Sequence, residues 1–527
     1  ARTMRVSLCH RALGLGLGFF AVGCTPGAGG GGSSTGMDTD SCTPGTLHCR
    51  CEASVCEAGL VCASGICIPD DDTSATSLVS TSGITSDVTS SGSGTGPGTT
   101  ASTGESMSTS TGAPTECDDG PGPSPSCPAE APFCTAEGVC ADCTGIPSCA
   151  DVDPQAPVCD AASGQCVQCT ASATQACGGA TPICDPATNT CVACEAHAQC
   201  PSGACDFATG ECFPEAGALW VDANGPCGSG TEDDPFCEIQ DAVGTLAPGS
   251  KAVVHVRPGT YKTKIDVDGG VVVAIVGEGG AAPALDVGKD ALLVNENARV
   301  YLDRLRIVGS AIDAAKGLVC LNAKVWADSV EITSREGGAI HAIGCQLRLR
   351  RDRIYLNPGG GLLLDKGSVY LENTFVTSNG GSFSMYGGMS LTGGVTVEAV
   401  YTTIVGNNAD DTVAESIHCA GNGTVVLRNS IMFGQSQGTS FSCDASQASD
   451  SVVDSPLLEG GENVVIEPTA QSQWFKNAAG GDFHVTPSAP FADRGVWRAG
   501  DPGVDYDGDV RPTVDASSDW AGADRLP

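Results

Sequence analysis

From residue 298 onward one hydrophobic pattern recurs along the chain. The segments ARVYLDRLRIVG (298–309), AKVWADSVEIT (323–333), CQLRLRRDRIYLN (345–357), GSVYLENTFVTSN (367–379), VTVEAVYTTIVGN (395–407) and GTVVLRNSIMFG (423–434) share it. Each has an alternating apolar strand, a polar bend and a second apolar pair. The aligned positions Val300, Val325, Leu347, Val369, Val397 and Val425 are spaced by 25, 22, 22, 28 and 28 residues. Alternation at period two turns one face inward. A repeat of this length with two or three short strands suits one rung of a parallel β-helix. Asn357, Asn379 and Asn407 follow the second strand in three successive rungs. They are placed either to form an amide ladder or to serve as three separate turn residues. Upstream, WVDA and VVHV read as strands and 239–246 as a short amphipathic helix that caps the open end of the core.

A second repeat lies upstream. PFCTAEGVCADC (132–143), PVCDAASGQCVQC (157–169), PICDPATNTCVAC (182–194) and GACDFATGEC (203–212) align on Cys134, Cys159, Cys184 and Cys205, spaced by 25, 25 and 21 residues. The unit reads as Pro-x-Cys, a short turn and Cys-x-x-Cys (Cys140 and Cys143, Cys166 and Cys169, Cys191 and Cys194). A further cysteine follows (Cys149, Cys177, Cys200), and Cys212 ends the series. Six more, Cys42, Cys49, Cys51, Cys56, Cys62 and Cys67, crowd a segment too short for a core. Cys227 and Cys237 are placed to staple the loop before the capping helix. The blocks are even-numbered, as disulfide pairing requires, but their connectivity stays open. Zinc binding and redox chemistry are the alternatives for Cys-x-x-Cys; an export signal weighs against both.

Composition then divides the chain. Lys and Arg number 26 and Asp and Glu 62, a net charge of −36, which excludes nucleic acid as a partner. Residues 25–215 hold one cation, Arg50, against 23 acids. Arg5 and Arg11 precede the apolar run 12–22, too short to span a bilayer and suited to a signal peptide. The expected organisation is a signal peptide (1–23), a lipid anchor with a Gly/Ser tether (24–41), a six-Cys module (42–72), a Ser/Thr/Gly-rich disordered linker (73–116), Cys-rich repeats (117–215) and a β-helix domain (216–527).

Three resemblances add expectations. Ala21-Val22-Gly23-Cys24 resembles a bacterial lipobox, which implies lipidation at Cys24 and, with Thr25 following, anchorage in the outer membrane at the cell surface. WVDA, Ile-Gln-Asp-Ala-Val and VHVRPGTY resemble the N-terminal cap and first rung of right-handed parallel β-helix proteins of the pectin-lyase-like superfamily. SAPFADRG (488–495), DYDGDVRP (505–512) and DWAGAD (519–524) resemble the closing motifs of bacterial surface β-helix proteins. The whole is similar to myxobacterial surface lipoproteins with Cys-rich repeats. The expected fold is all-β, a right-handed parallel β-helix behind small disulfide-rich modules.

The chemistry is sparse. LRLRRDRIYL is the most cationic stretch, and Arg348, Arg350, Arg351, Asp352 and Arg353, with His341 and Lys366 nearby, are the groups a polysaccharide lyase or hydrolase could use. Of these Arg351, Asp352 and Arg353 are the candidate catalytic residues. No paired acids are seen to recur at matching rung positions. Asp505, Asp507 and Asp509 are spaced like the start of a calcium loop but lack its Glu; no other cofactor is expected. The favoured function is a non-enzymatic, membrane-tethered display protein that binds a polysaccharide or a cell-surface partner. The alternative is a lyase or glycoside hydrolase acting on acidic polysaccharides.

Overall fold

The computed structural model describes residues 60–63, 66–69 and 116–526, apart from 119–120, 310–313, 411, 436–438, 459, 461 and 468–470. The expected signal peptide, Cys24, both tethers and Cys42, Cys49, Cys51 and Cys56 lie outside the described residues. Within the six-Cys module, Leu60–Ala63 pairs antiparallel with Ile66–Pro69, which sets Cys62 opposite Cys67.

Residues 116–213 form four beads, each a short antiparallel hairpin preceded by an irregular arm. The hairpins place Cys134 opposite Cys140, Cys159 opposite Cys166, Cys184 opposite Cys191 and Cys205 opposite Cys212. None of these opposed pairs is bonded. Each hairpin cysteine reaches back to its own arm instead: Cys117–Cys134 and Cys127–Cys140, Cys143–Cys159 and Cys149–Cys166, Cys169–Cys184 and Cys177–Cys191, Cys194–Cys205 and Cys200–Cys212. The bead boundary therefore falls inside each Cys-x-x-Cys, whose two sulfurs belong to neighbouring beads. All sixteen sulfurs from 117 to 212 are paired in disulfides.

Residues 251–453 wind into a parallel β-solenoid with three sheets. Sheet A runs through Lys251–Val256, Val272–Gly277, Arg299–Asp303, Lys324–Asp328 and their successors to Ala445–Ser449. Sheet B runs from Thr260–Tyr261 through Arg306–Val308 and Thr403–Asn407 to Val464–Val465. Sheet C runs from Ile265–Val267 to Phe441–Ser442. A and C fuse at Ile340–Arg350 and Leu362–Glu372, whose first halves pair in C and second halves in A.

The aligned aliphatic positions form one inward column of sheet A, in register from Val300 to Val425, none more than 4% exposed. The polar bend between A and B is one residue in the left-handed region: Arg304, Ser329, Arg351, Asn373, Tyr401, Asn429 and Asp450, with φ from 47° to 59°. L-residues visit this region singly and at a cost, Asn and Asp most readily. Seven consecutive turns make the same visit, each tight corner stacked on the last, whereas the first two rungs turn through the longer segments 257–259 and 278–283. At the next corner the asparagine ladder is formed. Asn357 Nδ2 donates to Asn379 Oδ1 at 2.8 Å, and Asn379 Nδ2 to Asn407 Oδ1 at 3.1 Å.

At the N-terminal end, Ile239–Val243 is helical and buries Ile239, Ala242 and Val243 against the first rungs. It is shorter than the expected 239–246. Cys227–Cys237 staples the preceding loop, and Cys320–Cys345 and Cys419–Cys443 tie successive rungs. The C-terminal segment lies across the outer face of sheet B, where Phe475, Phe483, Val485 and Phe491 pack on Phe375, Val405, Ile431 and Phe433. Among the described residues no helix is long and apolar enough to cross a membrane.

Candidate functional site

Side chains on the outer face of sheet A line up in columns because the strands are parallel and in register. One column reads Tyr301, Trp326, Arg348, Tyr370 and Glu398; a second reads Asp303, Asp328, Arg350, Glu372, Val400 and Arg428.

The fourth bead covers the upper part of this face. Ala204 and Phe213 pack on Val253, Ala274, Val276 and Tyr301, with Phe207 alongside. Tyr301 stacks on Trp326 at 4.9 Å between centroids. Asp206, 2% exposed, accepts from Lys251 at 2.9 Å, Arg299 at 3.1 Å and the Tyr301 hydroxyl. Burial alone would raise the Asp206 carboxyl, but Tyr301, Lys251 and Arg299 outweigh it and hold it below the usual range. His197 Nδ1 accepts from the Cys205 N–H at 3.0 Å, and burial pushes that imidazole down to about 4. It stays neutral at physiological pH.

Beside the bead, the cationic stretch turns out to be bound into the structure. Arg350 and Arg351 both grip Asp328, the latter at 2.8 Å, and the Asp328 side chain is 4% exposed. Burial raises that carboxyl, yet the two guanidinium groups outweigh it and lower it overall. Asp352 is buried; its Oδ1 accepts the Val330 N–H at 2.7 Å, and desolvation pushes it well above the usual carboxylate range. Arg353 donates to the Gly481 carbonyl at 2.6 Å and lies 3.9 Å over the Tyr355 ring. Arg351, Asp352 and Arg353 thus point to three different places and form no common site.

The expectation that acids do not recur at matching positions is corrected. Asp303 and Asp328 occupy the same position on adjacent rungs, and Glu372 takes it two rungs later. Each stands three residues past an aligned aliphatic, so the signal was present in the repeat. It was obscured because Arg350, Val400 and Arg428 hold the position elsewhere. Asp303 is raised by burial, with Arg304 at 2.8 Å acting against it.

What stays open on sheet A lies between the bead and the tail. Arg348, with a side chain 52% exposed, lies 4.8 Å over Tyr370 and 3.9 Å from Glu372, and Glu398 is exposed on the next rung. Gln346, Ser368 and Thr396 form an exposed uncharged column beside them. Tyr370 rests on the Val400–Tyr401–Trp497 cluster, and Arg428 pairs with Asp501 of the tail. The result is an aromatic platform with hydrogen-bonding groups and no surplus of positive charge.

The other expected groups lie elsewhere. His341 is on the outer face of sheet C, lowered by burial, and Lys366 is exposed at the corner between C and A. Asp505 is buried, with Oδ1 accepting the N–H groups of Asp507 and Asp509 and Oδ2 that of Arg525. It braces a turn. Asp507 lies 3.4 Å from His484 instead. Among the described residues, Asp505, Asp507 and Asp509 do not gather their oxygens as a calcium site would require.

The comparisons with known proteins cover both halves. A family model described as a family of unknown function (DUF8331) matches residues 105–218, the span of the beads. No curated protein matches the chain. Among solved structures, the chain is similar to the crystal structure of pectate lyase Pel9A, with 14% identity, a TM-score of 0.30, and 60% of this chain and 99% of that one covered. It is also similar to a rhamnogalacturonan lyase, with 13% identity, a TM-score of 0.24 and coverage of 45% and 68%. Likeness at this level carries no argument about activity. The parallel β-helix stands on its own strand ladder.

Proposed function

We propose that this chain is a non-enzymatic surface protein, exported and tethered by a lipid at Cys24, which binds glycan on the open strip of sheet A. The observation that carries the reading is the fate of the charges. Arg350 and Arg351 are engaged by Asp328, Arg353 by a carbonyl, and Asp352 is buried, so the groups a lyase or hydrolase would need are already committed to partners within the chain or shut away from solvent. What faces solvent is Arg348, lying over the half-buried Tyr370, with Glu398 and the uncharged polar side chains of Gln346, Ser368 and Thr396; Glu372, which Arg348 approaches, is buried. Aromatic surface with planar hydrogen-bonding groups suits sugar rings, and the exposed Glu398 carboxylate disfavours polyuronates. Export is supported by the eleven disulfides among the described residues, a density that belongs to an oxidising compartment.

The test is a glycan array with the whole chain, run beside an assay for unsaturated or reducing-end products from uronate polymers. Binding without products, lost in Tyr370→Ala and in Arg348→Ala, is the expected result. Product formation abolished by Arg351→Ala would overturn it in favour of the lyase or hydrolase reading. The tether has its own check: acylation of Cys24 in the mature protein, read by mass spectrometry.

A further inference from the structure

Arg335 breaks the pattern of the asparagine ladder. It follows Ser334, which has φ 61°, just as Asn357 and Asn379 follow Leu356 and Ser378. Its backbone N–H joins the ladder, donating to Asn357 Oδ1 at 3.1 Å. Its side chain does not. The guanidinium, on a residue 1% exposed, reaches back to the loop after Ala284–Asp286, where Nη1 donates to the carbonyls of Val287 at 2.8 Å and Lys289 at 3.2 Å. Nε and Nη2 have no partner among the described residues.

These two groups are not an arbitrary pair. Nε–H and one Nη–H form the parallel fork with which a guanidinium grips two oxygens of a carboxylate, sulfate or phosphate. A buried cation whose fork lacks an acceptor is strongly disfavoured. Asp286 and Asp290 act on Arg335 only through space, and no ion pair to it forms among the described residues. Asp290 accepts the Lys316 N–H at 2.8 Å instead.

We propose that the free edge of Arg335 holds one small oxyanion, bound inside the corner between sheets B and C. The ion bridges Nε–H and Nη2–H, while the Val287 and Lys289 carbonyls hold the other edge of the same guanidinium in place. Only an ion offering two oxygens to the fork fits; chloride offers one acceptor centre. The ion is a structural ligand, remote from the strip on sheet A. Asp286 and Asp290 limit its affinity by repulsion.

The experiment uses the whole chain, desalted and titrated with sodium sulfate, sodium phosphate or sodium chloride at matched ionic strength. Thermal unfolding is compared with that of Arg335→Met. Replacing a buried charge with an apolar side chain of similar length is often tolerated, and an unchanged circular dichroism spectrum checks this. Sulfate stabilises proteins generally, so the readout is the difference between the two proteins. Sulfate and phosphate should raise the wild-type Tm by roughly 3 °C per tenfold increase above Kd relative to the variant, and chloride should not. Native mass spectrometry should find one oxyanion on the wild type. If Arg335→Met fails to fold, Arg335→Lys, which keeps the charge but not the fork, should lose the response.

Equal responses in wild type and variant overturn the proposal. So does the absence of both a response and a retained ion, in which case the fork is satisfied by water.

Discussion

The beads and the β-helix repeat at nearly the same length, near 25 residues, yet they are held together by opposite means. A bead has two interlaced disulfides around a hairpin and few buried aliphatics; the apolar cluster of the second bead is Phe133 from its neighbour with Cys143 and Cys149. A rung has a column position filled by Val or Leu, and its backbone is bonded to the rungs on both sides. In a bead the unit closes on itself covalently. In the helix no rung closes, and each is stable only through its neighbours. The same repeat length therefore signals two different sources of stability.

The largest expected effect separates them directly. Leu347→Ala removes a fully packed side chain from the middle of the aliphatic column, and should cost about 2–5 kcal/mol in the main unfolding transition. Its measurement is denaturant unfolding followed by far-UV circular dichroism. The beads should not feel it. Reduction of the disulfides does the reverse: the beads become protease-sensitive while the strand signal from the helix, which also loses Cys227–Cys237, Cys320–Cys345 and Cys419–Cys443 but keeps its aliphatic column and backbone ladder, persists. If both treatments melted both regions together, the two would be one cooperative unit.

The fourth bead is where the comparison is sharpened. Asp160, Asp185 and Asp206 hold the same place in their hairpin turns, each accepting the N–H two residues on. In the second and third beads the other carboxylate oxygen accepts from Ser163 or Thr188. In the fourth that oxygen accepts from Lys251, while Arg299 and the Tyr301 hydroxyl reach the oxygen that also takes the Ala208 N–H, and Phe207 follows Asp206 where the others have Ala161 and Pro186. One turn residue has become a docking contact. Asp206→Ala should leave the Tyr301 hydroxyl buried without its acceptor, cost about 1–3 kcal/mol, and speed hydrogen exchange over 194–213 without changing the rungs below. Asp185→Ala, in the equivalent undocked turn, should not affect the β-helix.

These examples also show what could be read from the sequence. The aliphatic column and the asparagine ladder were legible because a parallel stack places equivalent residues in contact, so spacing along the chain becomes position in space. Bead connectivity was not, since Cys-x-x-Cys looks like one unit and is in fact a junction. The docking role of Asp206 was hidden because three beads share the residue and only the surroundings differ. Arg350 and Arg351 read as an outward cationic patch; Asp328, the acid that pairs with both, stands one rung away and more than twenty residues earlier. Spacing locates equivalent positions but leaves open which partner arrives from a different repeat.

The smallest expected effect is a difference in the sign of pH dependence. In the beads, Asp160 and Asp185 are lowered by hydrogen bonds from Ser163 and Thr188, so their contribution is present above the usual carboxylate pKa and fades as pH falls through the lower folded value. The tail over sheet B behaves oppositely. Asp524 accepts the Val485 N–H and is raised to about 6, first by burial and then by Asp505 and Asp507. Between its usual pKa and about 6 the folded tail binds a proton that the unfolded chain does not. Its contribution is therefore complete below the usual carboxylate pKa and is lost as pH rises through about 6. Docking of residues 475–526 should weaken by about 1 kcal/mol from pH 5 to pH 7, seen as faster exchange of the Val485 amide after correction for intrinsic rates. Asp524→Asn keeps an acceptor for that amide but cannot ionise, so the pH dependence should flatten. A tail that tightened toward pH 7 would show that the tail and the beads respond to protons in the same direction, and an Asn variant with the wild-type slope would show that a group other than Asp524 sets it.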